Sequence, residues 1–105
     1  MAGVTISKVV KEKSGKYISI EIGASQDCVI SHVSITGDFF AFPPEVIDEV
    51  EKYLRGKKAA KSLIDSIRLL VSTVEFAGVS REKFLDLLAH VLEEVSRSCE
   101  VSARN

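Results

Sequence analysis

Apolar and polar residues alternate through the first third of the chain and then recur at helical spacing through most of the rest. Val4 to Glu12 reads as a first strand with apolar Val4, Ile6, Val9 and Val10. The parity slips between Ile6 and Val9, so a bulge or an irregular start is expected there. Ser14-Gly15 is a short turn between two β-type runs, a hairpin signal. From Lys16 to Ile22 the alternation is clean, with Ile18, Ile20 and Ile22 on one face and Tyr17, Ser19 and Glu21 on the other. Gly23 to Asp27 is a loop by composition. A third strand is expected from Cys28 to Thr36, with Val29, Val33 and Ile35 inward and His32, Ser34 and Thr36 outward. Short sequential connections make this an antiparallel meander with one buried face.

The pattern changes at Ile35-Thr36-Gly37-Asp38-Phe39-Phe40. Gly37 accepts positive φ, and Asp38 can hydrogen-bond nearby backbone N–H groups, so the pair is turn chemistry. Neighbouring residues of a strand face opposite ways, so Phe39 and Phe40 cannot both enter one core. One ring is expected to seal the sheet against the helices while the other lies over an edge or a partner. Pro44 suits the first turn of a helix and Glu45 its positive dipole end. Val46, Ile47, Val50, Tyr53 and Leu54 form a core-facing stripe ended by Gly56. A second helix is expected over Lys58–Ala77, with Gly78 ending it. A third, N-capped by Ser80, carries Phe84, Leu87, Leu88, Val91, Leu92 and Val95 and runs to Ser98. Three strands followed by three helices predict an α+β fold, the meander carrying the helices on one face. The expectation is one domain over residues 1–100 and a frayed tail over 101–105.

Composition narrows the class. A chain of 105 residues is one domain and buries roughly 65% of its unfolded surface, enough for a core. No apolar run approaches the ~20 residues of a membrane span. The N-terminus has no charged leader or cleavage-type segment, which points to a cytoplasmic protein. With 14 basic and 15 acidic residues, there is no excess of positive charge of the kind nucleic-acid binding needs. Lysines do cluster at Lys8, Lys11, Lys13 and Lys16, and again with Arg55 at Lys57, Lys58 and Lys61. Each cluster is either a solvated face or an anion contact. Cys28 and Cys99 are far apart and read as small hydrophobes rather than a disulfide or a metal site.

Catalytic chemistry is sparse. His32 falls on the outer face of a strand and His90 on the polar side of a helix, neither sharing a site with a carboxylate or a cysteine. No metal site or nucleophile–base pair follows. Ser14-Gly15-Lys16 is too short for a phosphate loop of the Walker kind, and Lys16 opens a strand rather than a helix. The residues alone describe a small binding or accessory module.

The run Ile35-Thr36-Gly37-Asp38-Phe39-Phe40, followed by Pro44-Glu45 and a helix ending Leu54-Arg55-Gly56, resembles the C-terminal accessory domain of lipoate–protein ligases. Ser14-Gly15-Lys16-Tyr17-Ile18 is similar to that family's hairpin, although Ser14 stands where a first glycine is common. Gly78-Val79-Ser80-Arg81-Glu82-Lys83-Phe84 is similar to its entry to the last helix. In the family it resembles, the domain is either fused behind the catalytic domain or, in archaeal-type systems, made as a separate small subunit. Starting at Met1 and containing no catalytic domain, this chain is expected to be the separate kind, a non-catalytic subunit forming a heterodimer with a catalytic subunit. That partner would bind ATP, Mg and lipoate, form lipoyl-AMP, and pass the lipoyl group to a lysine of a carrier domain. This chain would bind no cofactor alone and would serve the activation step. The resemblance makes Gly37, Asp38, Phe39 and Phe40 the motif and partner-interface candidates. It makes Gly15 and Lys16 the candidates for a phosphate or adenylate contact, with Asp38 fixing its turn or meeting a partner N–H. Two other classes stay open: a sulfur-transfer helper of the SufE or iron–sulfur-scaffold type, which needs an exposed reactive cysteine, and a self-associating structural module.

Overall fold

The computed structural model describes residues 3–103, with side chains over 3–99. β1 (Val4–Lys11), β2 (Tyr17–Ala24) and β3 (Ile30–Gly37) form an antiparallel sheet in the order β1-β2-β3. α1 (Glu45–Leu54), α2 (Ile64–Leu70) and α3 (Arg81–Ala103) follow, so the expected α+β order holds. The alternation on β2 is the reason the sheet has one dry face: Ile18, Ile20 and Ile22 are all fully buried. Each such side chain contributes about 1.5–3 kcal/mol on leaving water. α3 lies across β1 and β2, and its Phe84, Leu88, Val91, Leu92 and Val95 join the same core. Ser80 caps it as expected, Oγ accepting from Lys83 N at 3.1 Å. The backbone of α3 overlaps most of the segment expected to fray, and residues 104–105 lie outside the described residues.

Four local expectations fail. β1 has no bulge; it pairs with β2 in unbroken register from Val4↔Ala24 to Lys11↔Tyr17. Lys8 occupies an inward position and Val9 points out, 55% exposed. The lysine stem covers apolar surface while its ammonium reaches Glu94 Oε2 on α3 at 3.2 Å, which is how a charged residue sits on a core face. In β3 the inward set is Ile30, Val33 and Ile35, and Val29 is exposed. A register shift opposite Gly23 and Ala24 resets the parity. The single helix expected over Lys58–Ala77 is broken into three pieces. Residues 57–59 are extended beside Cys28–Ile30, a 3₁₀ turn (Lys61–Leu63) leads into the short α2, and β5 (Glu75–Ala77) follows. β5 pairs antiparallel with β4 (Phe40–Phe42), forming a separate two-stranded ladder.

The fourth concerns the cysteines. Cys28 and Cys99 are joined by a disulfide, their Cα atoms 5.6 Å apart. Separation along the chain said nothing of this: Cys28 sits in a tight turn with φ 64°, under the C-terminal half of α3. The closed loop spans 71 residues, and constraining one of that size removes unfolded-state entropy equivalent to about 4 kcal/mol. Reduction, or Cys99→Ser, is therefore expected to lower unfolding stability by about that amount in urea titrations; coincident midpoints for oxidised and reduced chains would contradict it.

Candidate functional site

Three separated stretches of sequence meet at one end of the molecule. The hairpin between β1 and β2 closes through Glu12 N to Lys16 O at 2.7 Å and Gly15 N to Glu12 O at 3.0 Å. Gly15 turns with φ 92° and a bare surface around it, and Lys16 is exposed. Directly beside it, Asp38 N donates to Tyr17 O at 2.8 Å. This anchors the corner at the end of β3 to the first residue of β2. Gly37 cannot be replaced freely: a Cβ there would stand 2.4 Å from Tyr17 O, at a φ of 150° that favours glycine. The third stretch is Gly78, φ 94°, where a Cβ would meet Asp38 O at 2.8 Å. The Gly37-Asp38 corner and the Gly78-Val79-Ser80 entry to α3 are thus in backbone contact.

The two phenylalanines divide the tasks as strand geometry requires. Phe39 turns inward and stacks on Phe76 of β5, centroids 6.3 Å apart. Phe76 in turn meets the fully buried Phe84 at 5.2 Å. Phe40 turns outward, 66% exposed, and stacks on Phe42, 54% exposed, at 6.5 Å. The β4–β5 ladder holds this outer pair, with Ala41 facing the core between them. Arg81 fixes the approach to β5 by donating from Nη1 to Ser72 O and Val74 O, both at 3.1 Å. The result is an aromatic ridge between two hollows. One, of about 390 Å³, is lined by Ile35, Gly37, Phe39, Phe40, Pro44 and Ile47 among others. The other, of about 450 Å³, is lined by Phe42, Val74, Phe76, Ser80 and Arg81 among others.

The carboxylate of Asp38 is exposed and makes no hydrogen bond among the described residues. Its backbone N–H and Gly37 shape the corner instead, leaving the acid free to face outward. Phe42 was not legible as part of the site, because only its pairing with Phe40 across one intervening residue, on a strand that itself went unpredicted, sets it on the same face. That i, i+2 spacing was the available signal.

Elsewhere the chemistry differs from expectation in one respect: both histidines have carboxylate partners. His32 Nε2 lies 2.9 Å from Glu21 Oε2 across the outer sheet face, and His90 Nε2 lies 2.7 Å from Glu94 Oε2 one helical turn on. Strand pairing and i, i+4 spacing bring them together. Both pairs are solvent-exposed, and neither includes a serine or cysteine. Among the described residues, no three His, Cys, Asp or Glu side chains gather at one point, and no helix is long and apolar enough to cross a membrane. Cys28 and Cys99 are both 7% exposed and bonded to each other, so neither offers the free thiol that sulfur transfer requires.

What the ridge can do is dock. Its chemistry suits an interface anchor: rigid aromatic area and hollows on both sides, with the exposed Lys16 on the hairpin bonded to the same corner. Comparison with known proteins gives this end of the molecule a setting. No curated protein and no solved structure matches the chain. The family described as "Bacterial lipoate protein ligase C-terminus" matches residues 15–88, a span that contains Lys16, the Gly37–Phe42 corner and the Gly78–Phe84 entry to α3. With the greater part of its length inside that match, the chain belongs to the lipoate–protein ligase C-terminal domain family and to the chemistry of lipoylation.

Proposed function

We propose that this domain is a non-catalytic accessory subunit that docks on the catalytic subunit of a two-chain lipoate–protein ligase and supports the ATP-dependent formation of lipoyl-AMP. The observation that carries this reading is the Phe40–Phe42 ridge, two stacked and exposed phenylalanines on a short ladder braced from behind by Phe39, Phe76 and Phe84. A soluble domain gains nothing by holding such a pair in water. Covered by a partner, each ring removes a large apolar area from solvent.

The residues at this end do not suit a nucleotide held by the chain itself. Both hollows are walled largely by apolar side chains, and Arg81 is turned onto the backbone carbonyls of Ser72 and Val74. On this reading the catalytic subunit holds ATP, Mg and lipoate. This chain contributes position, dryness and charge. The ridge seats it over the partner's pocket and excludes water, against which an acyl-adenylate needs protection. Lys16, on a hairpin fixed to the same corner, reaches toward the phosphate or adenylate oxygens and stabilises developing negative charge. The exposed Asp38 carboxylate accepts an N–H from the partner. After activation, transfer of the lipoyl group to a carrier-domain lysine is the catalytic subunit's own step.

Pyrophosphate release by the catalytic subunit, measured with and without this chain, tests the proposal. Full-rate release by the catalytic subunit alone, or failure of the two chains to bind, would end it. Lys16→Ala is expected to slow lipoyl-AMP formation by about a hundredfold, the lower end of the range for removing one preorganised charge stabiliser. Transfer from preformed lipoyl-AMP should be unchanged, and undiminished adenylation would remove Lys16 from the mechanism.

The two phenylalanine faces separate docking from folding. Phe40→Ser with Phe42→Ser should weaken binding to the catalytic subunit by more than about 2 kcal/mol while leaving Tm nearly unmoved. Phe39→Ala should do the reverse, lowering stability by about 2 kcal/mol through a cavity against Phe76. Calorimetric titration and thermal melts on the same samples distinguish the two.

A further inference from the structure

The two edges of the three-stranded sheet are finished differently. On β3 the outward backbone groups are occupied. Ile35 N donates to Glu51 Oε2 at 3.1 Å. Ile30 N donates to Lys57 O, Gly56 N to Ile30 O, and Ala59 N to Cys28 O, each at 2.8 Å. On β1 the only backbone partner among the described residues is β2.

The register identifies which groups β1 leaves over. Because Asp38 N donates to Tyr17 O, Ile18 and Gly37 face each other as a non-hydrogen-bonded pair. Ile18, Ile20 and Ile22 therefore turn their backbone groups toward β1. Their partners there are Val10, Lys8 and Ile6, and the hairpin bond from Glu12 N to Lys16 O follows the same alternation. Thr5, Ser7, Val9 and Lys11 consequently present their N–H and C=O groups to solvent along one open edge. An edge of this length is a template for another strand.

Its surroundings specify the occupant. Between β1 and α3 lies a hollow of about 270 Å³, lined by Val10, Lys83, Asp86, Leu87 and His90. It adjoins the inner side of the edge, where an added strand would place alternate side chains. On the outer side Val9 is an exposed apolar contact and Lys11 an exposed cation. β1 carries no acid. Of its two lysines Lys8 is paired with Glu94, while Lys11 has no ion-pair partner among the described residues. A second copy of this chain would therefore bring another unpaired Lys11 to the ladder and no acid to meet the first. We propose that the β1 edge is a strand-addition site for an extended segment of another protein. That segment alternates apolar with acidic residues and seats one apolar side chain between Val10 and Leu87. Main-chain bonds supply affinity and the hollow supplies selectivity, as in other strand-addition sites. This surface is separate from the aromatic ridge and stands without the ligase reading.

The probe is an acetylated, amidated octapeptide alternating valine with glutamate, titrated into the isotope-labelled full chain. At saturation the amides of Thr5, Ser7, Val9 and Lys11 should exchange with deuterium at least about tenfold more slowly, since they become bonded. The same peptide with lysine for glutamate should bind about tenfold more weakly. Ser7→Pro removes an outward N–H while sparing the β1–β2 ladder, and should abolish the protection. Should proline itself disturb the strand, Lys11→Glu, a surface change, should invert the preference between the two peptides. No amide response at millimolar peptide, protection confined to the Phe40–Phe42 ladder, or an unchanged preference in Lys11→Glu would overturn the proposal. A dimer in sedimentation that Ser7→Pro dissolves would also overturn it, by giving the edge to a second copy.

Discussion

The packing of α3 across the dry face of the sheet is the interaction on which the other features depend. Ile18, Ile20 and Ile22 form one wall and Phe84, Leu88, Val91, Leu92 and Val95 the other, and all eight are fully buried. Phe84 stands in the first turn of that helix, next to the Ser80 cap. It is also the first ring of a relay running through Phe76 to Phe39. The corner that carries the exposed pair is thereby tied to the deepest part of the core. A ridge on a loose loop would lose entropy on docking; one braced by a core ring starts nearly in place.

Around that core the charges are arranged locally. Lys8 and His90 both meet Glu94, Lys83 meets Glu12, and Arg97 meets Glu93. Glu12 Oε2 is buried, and the ammonium of Lys83 at 3.0 Å meets it off the line of a hydrogen bond. Most of these pairs are at the surface and worth a few tenths of a kcal/mol. Their effect is one of placement, since Glu12–Lys83 pins the hairpin to the start of α3. Lys16, two residues from the turn's apex, is left without an ion-pair partner among the described residues, which is consistent with the part proposed for it.

Much of this was readable before the fold. Strict alternation on β2 identified its buried face, because period two admits one inward set. Helical spacing and Ser80 identified α3. The adjacency of Phe39 and Phe40 announced that one would face out, though not which. That choice is made by β5, whose Phe76 receives Phe39. Glu75-Phe76-Ala77 was hidden within a stretch whose apolar residues also fit a helix; a three-residue strand has too few positions for a period to register. β1 misled for another reason. A hydrophobic reading counts Val9 as inward and Lys8 as outward, and the long lysine stem with Glu94 beyond it reverses both. The motif strings named stretches far apart in sequence, and only the bond from Asp38 N to Tyr17 O shows that the hairpin and the Gly37-Asp38 corner lie side by side.

The Cys28–Cys99 link joins the turn after β2 to a late turn of α3, so every connection from β3 to the start of α3 lies inside a covalent ring. A single peptide bond cut anywhere in that ring opens it without producing a second molecule. The exposed segments around Gly56 and Ser72 are the natural places for such a cut. A nicked chain, heavier by one water, keeps both halves of its core together until a reductant arrives, so damage and separation become two events, the second governed by the thiol chemistry of the surroundings.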